Sequence, residues 1–244
     1  MLSFKSRTSS FLKSRKLRRE TPQVWLLRKA RLGYIQIPKV ASRSIRASII
    51  EMARGEMEHG TAPQAISNAE VEKQFSSHMQ QRKLADLSKE NFLFAFVRNP
   101  LARLYSGYMN KLIDPRSSNS QNIFAHMDMP MGMAFESFVM RVAELKDNEI
   151  DRHLRPQHWF LTYEGRLFVN YVGKMETFSA DWIVLQKKFS LPDLSHKNSS
   201  SAMGMEAGHQ FTRRLAEIAI ERYKEDIELF GYAEQVRQFM DELN

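Results

Sequence analysis

Phe92-Leu93-Phe94-Ala95-Phe96-Val97 is an unbroken apolar run of six residues, and Arg98-Asn99-Pro100 follows it at once. A half-buried strand alternates apolar and polar residues. A continuous run is the mark of a strand covered on both faces, as in parallel sheets flanked by helices. Asn99 is a good helix N-cap and Pro100 suits the first helical position. A helix therefore opens directly behind the strand, with Leu101, Leu104, Tyr105, Tyr108 and Leu112 on its apolar face.

The same order recurs upstream. Gly33-Tyr34-Ile35-Gln36-Ile37 reads as a short strand ending at Pro38, and a helix follows from Ser42 to about Arg54 with Gly55 as its stop. Residues 55–77 show no clear period. Residues 114–131 read as a surface loop, and 134–145 as an amphipathic helix. Leu167–Val172 reads as a third strand and Ser179–Phe189 as a helix. Residues 191–209 form a Pro-, Ser- and Gly-rich loop; 211–230 and 233–243 are helical. Strands alternating with helices predict an α/β fold, a P-loop-like three-layer α/β/α arrangement around a central parallel sheet. Ligands of such sheets bind beyond the carboxyl ends of the strands.

With 244 residues, 43% of them hydrophobic and 26% charged, the chain can build one sizeable core. It has no cysteine, so disulfides and thiolate metal sites are excluded. The net charge of +8 sits at one end: residues 1–30 hold nine basic residues and one acid, Glu20, so residues 31–244 are neutral. The expected division is a basic N-terminal arm, 1–30, and a single domain, 31–244. The arm reads as a solvated tail or as a tether to anionic lipid or nucleic acid. No segment has the ~20 apolar residues of a membrane span, which predicts a cytoplasmic protein with at most peripheral membrane contact. The neutral body argues against a nucleic-acid groove binder.

Two segments carry chemistry. In Ile37-Pro38-Lys39-Val40-Ala41-Ser42-Arg43-Ser44, a strand gives way to a loop of mostly small residues and then a helix N-terminus. Small residues let amide groups approach a phosphate, the helix end adds partial positive charge, and Lys39 adds a full one. The Walker pattern GxxxxGK[ST] is absent. In Phe96–Tyr108, Arg98 supplies a planar fork of donors at the strand end, and Ser106 lies two turns into the helix. Each segment alone could equally be a basic loop or an ordinary helix cap.

Together, Pro-Lys-Val-Ala and Phe-Val-Arg-Asn-Pro…Arg-Leu-Tyr-Ser-Gly-Tyr resemble the paired signatures of sulfotransferases that use 3′-phosphoadenosine 5′-phosphosulfate (PAPS). Three later segments are similar to carbohydrate sulfotransferases of the chondroitin and dermatan type: His153-Leu154-Arg155-Pro156-Gln157, Tyr171-Val172-Gly173-Lys174-Met175-Glu176-Thr177, and Tyr223 through Tyr232. The resemblance covers about residues 33–232. It implies in-line transfer of a sulfuryl group from PAPS to a carbohydrate hydroxyl, without a metal. It also implies roles. Lys39 would stabilise the leaving 5′-phosphate oxygen, and Val40, Ala41, Ser42, Arg43 and Ser44 would contact the phosphosulfate. Arg98 and Ser106 would hold the 3′-phosphate. Asn198 and Ser199 would belong to a loop over the nucleotide. His78 is the first candidate for the general base, His153 the second and Glu51 the third. Lys174 and Glu176 read first as a structural pair.

The chain departs from the pattern at Arg43, where threonine is usual, and at Leu154, where tryptophan is common. Lacking cysteines and an anchor, it resembles a soluble, bacterial relative. Two alternatives stay open: a P-loop nucleotide-dependent kinase, and a catalytically inactive binding protein of sulfotransferase fold.

Overall fold

A computed structural model describes residues 20–57, 66–114, 122–194 and 210–243. Its contacts group into two compact units, one built on a sheet (Thr21–Arg98 and Phe160–Ser201) and one helical (Met1–Glu20, Asn99–Trp159 and Ala202–Asn244).

The sheet unit opens with β1 (Gln23–Leu27) and β2 (Leu32–Gln36), an antiparallel pair. Helix α1 (Ser42–Met57), helix α2 (Asn68–Phe75), the short strand β3 (Ser76–His78) and helix α3 (Gln81–Leu87) precede β4 (Phe92–Val97). A two-stranded hairpin, β5 (Thr162–Tyr163) and β6 (Arg166–Leu167), leads to β7 (Tyr171–Lys174) and helix α7 (Phe178–Phe189). The five-stranded sheet runs β3-β1-β2-β4-β7. β2, β4 and β7 are mutually parallel, whereas β1 is antiparallel to both of its neighbours. The sheet is thus mixed rather than wholly parallel.

Both faces of its centre are covered, because Leu93 through Val97 are all buried. Phe96 stacks edge-on against Phe178 of α7 at 4.9 Å between centroids. It also lies where a side chain on Gly173 of β7 would have to go: a Cβ there would meet the Phe96 ring at 2.5 Å. Phe96 is wholly buried and has no room to yield. Gly173→Ala is accordingly expected to destabilise the protein by about 1–3 kcal/mol. The check is its urea-unfolding midpoint against the wild type.

Three boundaries differ from the sequence reading. β1 lies inside the stretch read as a basic arm. Val24, Trp25 and Leu27 are buried, and the Trp25 Nε1–H donates to Gln36 Oε1 at 3.0 Å, so this apolar segment joins the sheet despite the basic residues around it. α1 continues through Gly55 to Met57, since nothing crowds that position and Ala53 keeps the helix on the core. The third parallel strand begins at Tyr171 rather than Leu167. Glu164 (φ 49°) and Gly165 (φ 72°) turn the chain in the left-handed region and commit 162–167 to the hairpin. Asn170 then fixes the entry to β7: its side-chain oxygen accepts from the Leu93 amide, and its own amide donates to the Leu93 carbonyl, both at 2.7 Å.

In the helical unit, α4 (Pro100–Tyr108) ends in a π-helical turn, Met109–Ile113. Helices α5 (Phe135–Glu144), α8 (Arg213–Arg222), α9 (Lys224–Leu229) and α10 (Ala233–Glu242) follow, and α6 (His158–Leu161) is the short helix leading back to the sheet unit. Tyr108 packs on Phe135 and Phe138 at 5.0 and 5.2 Å, and Phe135 meets Phe211 at 4.9 Å. Met127 and Met129 fill this core, whereas Met131 is exposed. Among the described residues no helix is long and apolar enough to cross a membrane.

Candidate functional site

The carboxyl ends of β2 and β4 bring the two sequence motifs to one edge of the sheet. Beyond Gln36 the chain buries Ile37, Pro38 and Val40 and leaves Lys39 and Ala41 half-buried. Val40 is the inward anchor. The residues on either side of it take left-handed backbone, φ 72° at Lys39 and φ 57° at Ala41. For residues with a Cβ this costs about 1–2 kcal/mol each. Alternation of left-handed residues with ordinary ones turns successive amides toward one concave side, an arrangement suited to anions. Strain of this kind concentrates at binding sites.

The Ala41 carbonyl accepts from Ser44 N at 2.9 Å and Ile45 N at 3.2 Å, which makes Ala41 the cap of α1. Alanine offers no side-chain oxygen to the first-turn amides, as Ser, Thr, Asn or Asp would. Those of Ser42 and Arg43 therefore point out of an N-terminus that carries partial positive charge. Ser44 is buried, Ser42 half-buried and Arg43 exposed. Arg98, half-buried at the end of β4, donates from Nη1 to the Lys39 carbonyl at 3.2 Å. The two motifs thus touch through an arginine and a strained lysine.

His78 reaches the same edge by strand register. It pairs with Gln23 across β3 and β1, and Gln23 pairs with Gln36 across β1 and β2. His78 and Gln36 therefore share one row of the sheet with a single strand between them, about 10 Å apart at ~4.8 Å per strand. His78 is exposed, and its Nδ1 lies 3.1 Å from the Thr21 carbonyl. A carbonyl only accepts, so Nδ1 carries the proton and the neutral ring keeps its lone pair on Nε2. Met79 N donates to the Pro22 carbonyl at 3.0 Å and holds the strand end in place. The β1 lead-in thus orients His78, which a sequence placing residues 21 and 22 in a tail gave no means to see. Glu51 lies on α1 as an exposed residue. Val97 pairs with Lys174, bringing Lys174 to this edge as well, and the Lys174 amide donates to Asp181 at 2.9 Å. Asp181 also accepts from Tyr171 Oη and Thr177 Oγ1, both at 2.6 Å. Burial first, and then the bond to Asp181, push the Tyr171 hydroxyl well above its usual range.

In the helical unit, Asn99 caps α4 as its sequence predicts: Oδ1 accepts from the Leu101 and Ala102 amides at 3.0 and 3.4 Å, with Pro100 opening the helix. Ser106 is half-buried on α4. His153 forms a pair that the sequence reading did not single out. Its Nδ1 lies 2.6 Å from Asp151 Oδ1, and its amide donates to the same oxygen at 2.9 Å. Burial pulls the Asp151 carboxyl up, but the hydrogen bonds and charge of His153 outweigh it and hold the carboxyl below its ordinary value. The Asp-x-His spacing was the available signal. The loop is clamped from behind. Arg103, fully buried, donates to the carbonyls of Arg155 at 2.9 Å and Arg152 at 3.1 Å, and the Tyr223 hydroxyl donates to the Leu154 carbonyl at 2.6 Å.

The end of this loop and the closing segment Tyr223–Tyr232 meet at Asp226. That buried carboxylate accepts from the Gln157 and His158 amides, both at 2.7 Å, and lies 2.9 Å from His158 Nδ1. Asn198 and Ser199 lie outside the described residues. Among the described residues no group of three or more His, Asp or Glu side chains is placed to hold a metal.

No curated protein and no solved structure gives a significant match to the chain. The model of the Sulfotransferase family matches residues 22–233, which takes in β1, both motifs, the His153 loop and the Asp226 cluster. By that match over most of its length, the chain belongs to the sulfotransferase family.

Proposed function

We propose that the protein transfers the sulfuryl group of PAPS to a hydroxyl of a carbohydrate. The observation that carries this reading is the loop at the end of β2: left-handed Lys39 and Ala41, a helix N-terminus whose cap residue Ala41 has no side-chain oxygen, and Arg98 bonded to the Lys39 carbonyl. Outward-turned amides, a helix end and two cations suit a multiply charged phosphate ligand better than a neutral one. PAPS, when bound, presents a sulfuryl group on a phosphate that departs with added negative charge. Lys39 would meet that charge, and the amides of Val40 to Ser44 would hold the 5′ end. Arg98 would bind the 3′-phosphate; the share of Ser106 in this rests on the family resemblance.

His78 would take the proton of the acceptor hydroxyl at Nε2, the nitrogen that its bond to Thr21 leaves basic. His153, oriented by Asp151, is the second candidate. His78→Gln is expected to lower turnover about 10²- to 10⁴-fold, the usual share of general base catalysis. The affinity for 3′-phosphoadenosine 5′-phosphate should not change. Undiminished turnover would move the role to His153. The carbohydrate class of acceptor rests on the resemblance of residues 153–157, 171–177 and 223–232. For the basic N-terminal segment we propose peripheral contact with anionic membrane.

Calorimetry with 3′-phosphoadenosine 5′-phosphate, beside ATP with Mg²⁺, tests the donor. Radiolabelled PAPS over a panel of desulfated glycans tests the acceptor. Metal-free binding of the bisphosphate and label on a glycan are the expected results. Preference for ATP with Mg²⁺ would favour the kinase reading. Binding without transfer to any glycan would sink the carbohydrate assignment.

A further inference from the structure

Arg98 stands where the sequence reading assigns it a single task, contact with the 3′-phosphate. Its geometry gives it another. Nη1 donates to the carbonyl of Lys39, 59 residues away in the chain, at 3.2 Å. The acceptor is the backbone of a residue at φ 72°, two positions before a second left-handed residue at φ 57°. Neither residue is glycine, so the loop would gain by leaving this conformation. Three described features oppose that: the buried anchor Val40, the Ala41 carbonyl tied into α1, and the guanidinium on the Lys39 carbonyl. The first two hold the residues after Lys39. Arg98 acts on Lys39 itself. A guanidinium has five donors in a rigid fork, more than one carbonyl can use, so the same group can hold a backbone carbonyl and face an anion.

We infer that Arg98 is a positioning residue for Lys39: it fixes the strained loop that receives the 5′ end of the donor, besides meeting the 3′-phosphate. The inference rests on the donor reading given above and extends it. One guanidinium then joins the two ends of the nucleotide site, so a ligand charge at the 3′ position also bears on the loop around the 5′ position.

A donor without the 3′-phosphate separates the two roles. Adenosine 5′-phosphosulfate and 3′-phosphoadenosine 5′-phosphate would each be titrated into wild type, Arg98→Ala and Arg98→Met, the last keeping an apolar stem beside the strand end. In parallel, amide hydrogen exchange in the ligand-free proteins would be read over residues 37–45, with β1 and β2 as internal control. If Arg98 only contacts the 3′-phosphate, both variants lose the bisphosphate but bind adenosine 5′-phosphosulfate as wild type does, with unchanged exchange. That result overturns the inference and leaves the donor reading standing. If Arg98 positions Lys39, both variants also bind adenosine 5′-phosphosulfate about tenfold or more weakly, as expected when a loop strained at two residues is released. Residues 37–45 then exchange faster while β1 and β2 do not. Should wild type bind neither nucleotide, the donor reading fails, and exchange over residues 37–45 alone decides whether Arg98 holds the loop.

Discussion

Lys39→Ala is expected to lower the turnover of sulfuryl transfer by about 10²- to 10³-fold, the scale seen when one preorganised charge-stabilising group is removed. The ammonium is carried on a strained backbone. Its backbone is held left-handed by Arg98 on one side and by the Val40 anchor on the other, so the stem that carries the charge starts from a fixed point before any ligand arrives. A group fixed in advance need not reorganise as charge develops, and this is why it is worth more than a mobile surface lysine. Lys39→Gly separates charge from backbone. Both variants lose the ammonium and should be equally slow. Glycine removes the left-handed strain of about 1–2 kcal/mol and adds a chain-entropy cost of about 0.5–1 kcal/mol. The glycine variant should therefore be the more stable of the two in urea. Turnover of either variant within a few-fold of wild type would remove Lys39 from the chemistry.

Asp226→Ala is expected to destabilise the protein by about 3–5 kcal/mol, the cost of breaking a buried charged pair by removing one partner. The carboxylate is wholly buried and takes two backbone amides and an imidazole from residues 68 and 69 positions away in the chain. Without it, those donors face a hole that water reaches poorly. The unfolding midpoint in urea measures the loss, and a shift below about 1 kcal/mol would mean that the cluster rearranges at little cost.

Its partner His158 adds a pH dependence. Burial pulls the imidazole down, but the hydrogen bond and charge of Asp226, with Glu225 beyond, raise it above 6.5. A raised value in the folded state means that protonation favours folding. This stabilisation is complete below about pH 6.5, the unfolded value, and is lost as pH rises through the higher folded value. The stability gap between wild type and His158→Gln should accordingly be widest in mild acid and narrow toward alkaline pH. A gap that widens with pH would contradict the pairing.

The sequence alone determined the elements whose causes are local. Six apolar residues in a row made β4 a strand covered on both faces, and Asn99-Pro100 set the start of α4 to the residue, because a cap and a fixed φ act within one turn. The two segments proposed to hold the donor were legible as local structure for the same reason: each is a strand end followed by a helix start within a few residues. The tertiary structure decided the rest. Only the sheet register carries His78 to the row of Gln36, and only Thr21 settles which of its nitrogens is basic. Nothing in Pro-Lys-Val-Ala announces that Lys39 and Ala41 are left-handed, since local preference runs against it and long-range contacts impose it. Two of the later motifs, 153–157 and 223–232, read from the sequence only as family resemblances, meet at one buried carboxylate, Asp226, because a charge in the core must gather its partners from wherever the chain can bring them.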